Sequence, residues 1–198
     1  MTVRSVLLAV VLALLNACSS TTYTRVNAFQ GDLGSAQLSG AVAVLPRDES
    51  QANSLEFVHY KSRVEQKLAR KGFAIVASEA EADRVAYIDY GVEKTEVDRD
   101  GFRSGVVVRS PLTYSNPRVG LVLVDDDKET QYERYIRLVI AEKANEQKPL
   151  YEVRGVSRGR CGVLSVVFDE IFEAMLQDFP AASGSVKTIG VKGESKCR

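Results

Sequence analysis

The chain has 198 residues, 45% of them hydrophobic and 26% charged, with 26 basic residues against 26 acidic ones. That balance speaks against a nucleic-acid binder, which would carry a basic face. One histidine and no Cys-x-x-Cys pair leave no arguable metal site and no cofactor.

The first eighteen residues organise the rest. Arg4 supplies a positive start, residues 6–15 are an unbroken apolar run, and Leu15-Asn16-Ala17-Cys18 follows. An export signal has a charged start, an apolar core of roughly 7–15 residues and a small residue before the cut. A membrane-spanning helix would need about 20 apolar residues. Two readings remain, an ordinary cleaved signal and a lipoprotein signal. Cys18 favours the second, because Leu15-Asn16-Ala17-Cys18 resembles a bacterial lipobox, with Asn16 its least usual position. The resemblance implies a diacylglyceryl group on the Cys18 thiol, cleavage before it and acylation of the new amine. Ser19 in place of Asp implies the outer membrane. Residues 1–17 are then the signal peptide.

Residues 18–38 are rich in Ser, Thr, Asn and Gly and read as a lipidated N-terminus and tether, the second part of which could pair as an edge strand. Residues 41–45 are apolar and stopped by Pro46, a buried strand. Asn53 and Glu56 have the spacing of a capping box. Phe57, Tyr60, Val64 and Leu68 then make one helical stripe, closed by Gly72. Residues 73–76 resume as a strand, which completes a βαβ unit. Residues 85–92 are the next strand. Residues 94–117 form the least legible segment, a long loop of the kind that often carries function. Residues 119–124 read as a central strand. Residues 132–141 and 150–156 read as antiparallel strands. Leu164, Phe168, Ile171, Phe172 and Met175 form the stripe of a last helix, stopped by Pro180. Residues 181–198 are a Gly/Ser/Lys-rich tail with one weak strand candidate, residues 186–191.

The expected fold is therefore a single α/β (α+β) domain over residues 39–180. It is a two-layer sandwich, with a mixed, mostly antiparallel sheet of five or six strands and both amphipathic helices on one face. Each helix carries charge opposite its stripe: Arg63, Gln66 and Arg70 on the first, Glu170, Glu173 and Gln177 on the last. The helix ending Leu68-Ala69-Arg70-Lys71-Gly72-Phe73, the segment Glu81-Ala82-Asp83 before a strand, and the closing Met175-Leu176-Gln177-Asp178-Phe179-Pro180 resemble a family of bacterial envelope lipoproteins, domain of unknown function 4136. The resemblance implies an envelope lipoprotein with an α/β domain and carries over no catalytic residue.

Four constellations could carry chemistry. Gly155-Val156-Ser157-Arg158-Gly159 has the pattern of a hydrolase nucleophile elbow, but no histidine follows it, and His59 lies upstream on a solvated helix face. Asp125-Asp126-Asp127 with Glu129 offers oxygens to calcium without the expected loop pattern. Arg154, Arg158 and Arg160 precede the last helix and form a candidate anion-binding site. Cys161 and Cys197 are either a disulfide or two unpaired thiols. The expectation is no enzyme. It is an outer-membrane-anchored, periplasm-facing lipoprotein with a non-catalytic binding or scaffold role, held by its lipid and partnered by an envelope protein or component. The alternative is periplasmic binding or transport of a lipid or other apolar ligand.

Overall fold

The structure, a computed structural model, describes residues 20–31, 38–98, 128–143 and 145–193. These residues form one α+β unit. The strands are β1 (Ser20–Gln30), β2 (Gly40–Pro46), β3 (Phe73–Ile75), β4 (Arg84–Asp98), β5 (Lys128–Glu142), β6 (Asn145–Gly159) and β7 (Ser185–Gly193). The helices are α1 (Leu55–Arg70) and α2 (Leu164–Leu176). The strands join in one sheet in the order β3-β2-β4-β5-β6-β1-β7.

Seven strands replace the expected five or six. The two additional strands lie in the stretches read as tether and tail, where an edge strand and a weak strand at 186–191 are the only hints. β1 is an interior strand, antiparallel to β6 on one side and to β7 on the other. Its inward residues are Thr22, Thr24, Val26 and Ala28. Half of that face is threonine, so the alternation that marks a strand is weak in hydropathy.

β2 pairs in parallel with both β3 and β4, as the βαβ reading requires. Val42, Ala43 and Val44 are buried, which is why the run is apolar on both sides. Ser54, not Asn53, caps α1, its hydroxyl accepting from Phe57 N at 3.4 Å. Glu56 does not close a capping box and instead accepts from the Tyr60 hydroxyl at 3.0 Å. Phe57, Tyr60, Val64 and Leu68 are all buried. Gly72 follows the helix with φ +96°, a left-handed position that glycine adopts without strain.

The helices lean on each other as well as on the sheet. Tyr60 stacks on Phe168 with ring centres 4.2 Å apart. Lys67 pairs with Glu173 at 2.6 Å, and Arg63 pairs with Asp169. Phe168, Ile171 and Phe172 of α2 join Val64 and Leu68 of α1 in one core with the inward residues of β1, β2, β4, β5 and β6. Glu170 departs from its expected place on the outer face of the last helix. It is 8% exposed and lies against Gly193, because β7 covers that flank of α2.

The far side of the sheet carries charge. Arg137 pairs with Glu152 at 2.8 Å, Arg158 with Glu133 at 2.7 Å, and the Arg154 guanidinium lies over the Tyr135 ring. Residues 128–131 of β5 pair with β4 alone, so these two strands run past the sheet as a ribbon. The expected strand at 119–124, the triple aspartate and most of the 94–117 segment lie outside the described residues; residues 94–98 of that segment belong to β4. Among the described residues, no helix is long and apolar enough to cross a membrane.

Candidate functional site

β1 and β6 pair from Gln30↔Tyr151 to Thr24↔Ser157 and then part. β1 stays with β7 to its first residue, Ser20↔Gly193. β6 stays with β5 as far as Tyr132↔Gly159. The gap between the diverging strands is a cavity of about 390 Å³, walled by Thr22, Arg134, Ser157, Gly159, Cys161 and Val167 among others.

Arg134 is the unusual member. It is 3% exposed and points into the same side of the sheet as Ile136, Leu138 and Ile140. Its Nε donates to the Ser157 carbonyl at 3.4 Å, Nη1 to the Cys161 carbonyl at 3.1 Å and Nη2 to Ser157 Oγ at 3.2 Å. These are neutral acceptors. Among the described residues no carboxylate pairs with it. Glu133, its chain neighbour, points to the opposite side and serves Arg158. Burial lowers the Arg134 pKa, and a guanidinium remains charged in proteins. Beside Ser157 in the ladder, Thr24 Oγ1 is fully buried and has no hydrogen-bond partner among the described residues.

This geometry accounts for the Gly-x-Ser-x-Gly pattern without a nucleophile. Gly155 passes beneath α2, where a Cβ would come within 2.7 Å of Met175 Cγ. Ser157 holds Arg134. A Cβ on Gly159 would stand 3.0 Å from Arg134 Nη2. The three small residues sit on the inward side of one strand, not on a strand-to-helix elbow. His59 is exposed on α1.

The three arginines singled out from sequence do not converge. Arg154 stacks on Tyr135, its guanidinium 5.3 Å from the ring centre, on the far side of the sheet. Arg158 is ion-paired and largely exposed, although it and Arg160 reach the cavity rim. The residue that sequence reasoning missed is Arg134. A signal was present, since in a period-two strand Arg134 shares parity with Ile136, Leu138 and Ile140 and must face inward.

Cys161 lines the cavity and is disulfide-bonded. Cys18 and Cys197 lie outside the described residues. A second cavity of about 400 Å³ opens at the start of both helices, between Glu56, Tyr60, Tyr90, Val92 and Leu164. Burial, then the Glu56 carboxylate, raises the Tyr60 pKa well above the usual phenol value. Both cavities have mixed polar and apolar walls. Among the described residues no three His, Cys, Asp or Glu side chains group as metal ligands.

No family model matches the chain, and no curated protein does. Two solved structures are similar in outline. One is a PDZ domain protein from Parabacteroides distasonis, at 14% identity and a TM-score of 0.46 over 91% of this chain; the chain spans 42% of that protein. The other is the PelC dodecamer from Paraburkholderia phytofirmans, at 13% identity and a TM-score of 0.38, covering 80% of this chain and 96% of that one. At these values neither similarity bears on activity or partners.

Proposed function

We propose that the chain is an outer-membrane lipoprotein, anchored through Cys18 and facing the periplasm, with a non-catalytic binding role in the bacterial envelope. The resemblance to domain of unknown function 4136 belongs to the same proposal. What supports it is the Leu15-Asn16-Ala17-Cys18 box after an apolar run, and the start of β1 says how such an anchor would hold the domain. Ser20, two positions after Cys18, already lies in the sheet and pairs with Gly193. A chain of two residues spans at most about 7 Å. An acylated Cys18 would therefore hold the domain end-on at the membrane surface, with almost no linker. The end it presents carries the Arg134 cavity. More than one acyl chain makes such an anchor stable. The non-catalytic part of the reading rests on Ser157 being spent on Arg134.

The test is fractionation with mass spectrometry. The mature protein should partition into detergent and begin at an acylated Cys18. Cys18→Ser should be released from membranes or remain an unprocessed precursor. A processed Cys18→Ser protein that stays with the membrane would overturn the proposal.

A further inference from the structure

The cavity between β1 and β6 has a built polar end. One cross-strand row places Thr24, Ser157 and Arg134 side by side on the inward face. Directly opposite residues in such a ladder have Cβ atoms about 4.5–5.5 Å apart. A guanidinium has five N–H donors. Arg134 gives three of them to neutral oxygens, which fix the plane of the group. Two N–H donors stay unclaimed among the described residues. Burying a charge without a counter-charge is costly, and a neutral side chain could have bridged the same carbonyls. The nearest buried carboxylate in α2, Glu170, lies against Gly193 on the β7 side and makes no ion pair with Arg134 among the described residues. No described residue supplies the counter-charge, and the cavity gives an anion from outside access to the two unclaimed donors.

The walls say which kind. Besides Arg134, the cavity offers the hydroxyls of Thr22 and Ser157; Arg158 touches its rim but is paired with Glu133 on the other face. Hydroxyls beside one guanidinium suit an oxyanion with three or more oxygens better than a planar carboxylate, which a bidentate guanidinium alone would satisfy. At about 390 Å³ the space exceeds one phosphate and leaves room for its substituent. Ser20 is also at the rim, close to the anchored cysteine in the lipoprotein reading. We infer that the cavity binds the phosphate of a phosphate ester, with Arg134 as its principal ligand. The location at the anchored end, which rests on the lipoprotein reading, makes a phospholipid headgroup the first source to test and free phosphate the second.

The experiment uses the mature, full-length protein in non-ionic detergent at constant ionic strength. The probes are inorganic phosphate, dihexanoyl phosphatidylglycerol and, as the phosphate-free control, dihexanoylglycerol. Thermal unfolding and ³¹P line broadening are read together. Near ten times its Kd, a phosphate-bearing probe should raise Tm by about 3–6 °C. Arg134→Gln should abolish the shift. Ser157→Ala, which keeps the fold if Arg134→Gln does not, should weaken binding about tenfold. A response to both probes identifies a general phosphate site, and a response to the lipid alone identifies a headgroup site. No shift with either, an equal shift with dihexanoylglycerol, or a shift unchanged in Ser157→Ala would overturn the inference. The binding arm does not depend on the fate of Cys18→Ser, so the two proposals fail separately.

Discussion

Tyr60 of α1 lies flat on Phe168 of α2, the rings 4.2 Å apart and 6° from parallel. Tyr90 of β4 meets Tyr60 edge-on at 4.7 Å. One aromatic thus joins both helices and the sheet. Phe168→Ala should cost about 3–5 kcal/mol, the usual range for emptying a buried aromatic site. Chemical denaturation would show it as a lower midpoint with an unchanged slope. A cost below about 1 kcal/mol would mean that the helices do not share a core.

Gly155 makes a different prediction, because the space above it belongs to α2. A Cβ there would meet Met175 at 2.7 Å and Ile171 at 3.1 Å. Methionine can yield, so Gly155→Ala should cost about 1 kcal/mol, and the branched Gly155→Val about 1–3 kcal/mol. In a double-mutant cycle, Met175→Ala should relieve part of the Gly155→Val penalty, since it removes the atom that is struck. Additive costs would show that the two residues do not press on each other.

Much of this core was readable in advance, and the exceptions share a cause. The α1 stripe and the β2–β3 crossover are set by periodicity and an apolar run, both local properties. β1 and β7 show only faintly, as an edge-strand option and a weak strand at 186–191, because they are strands only in company. Thr22 and Thr24 face inward where the ladder supplies hydrogen bonds to the backbone, and β7 is an edge with Val186 exposed. Glu170 followed from the same omission: its place on the outer face of α2 is correct until β7 covers it. The arginine cluster failed because adjacency in sequence is not adjacency in a sheet. Arg154 and Arg158 belong to the side facing away from Arg134.

The ion pair between Lys67 and Glu173 links the two helices across their outer edge. The Lys67 hydrogen bond, with help from its charge and those of Lys71 and Arg70, holds the Glu173 carboxyl below its usual pKa. A depressed folded pKa stabilises above the unfolded value, near 4.3, and that stability is lost as pH falls through the lower folded value. The Glu173 side chain is 54% exposed, so solvent screening limits the gain to about 0.5 kcal/mol. Glu173→Gln should lower Tm slightly at pH 7 and should not lower it at pH 2. An effect that persists at pH 2 would place its origin in packing instead of charge.

Cys161 sits near the paired outer ends of β1 and β7. Ser20, two residues from Cys18, pairs with Gly193, four residues from Cys197, and the same Ser20 and Cys161 share one cavity wall. Both other cysteines are therefore within chain reach of the disulfide-bonded Cys161. The lipoprotein reading decides between them, because an acylated thiol cannot enter a disulfide. Non-reducing peptide mapping of the mature protein should recover a Cys161–Cys197 peptide, with no thiol reactive until reductant is added. That bridge would clamp β7 and the end of the chain to the start of α2. By loop closure alone it is worth about 3–4 kcal/mol. Cys161→Ser and Cys197→Ser should therefore lower stability by similar amounts, and the double variant by no more than either. Recovery of a Cys18–Cys161 peptide would remove the bridge to Cys197 and the lipid anchor together. Mapping the disulfide thus tests the localisation as sharply as fractionation does.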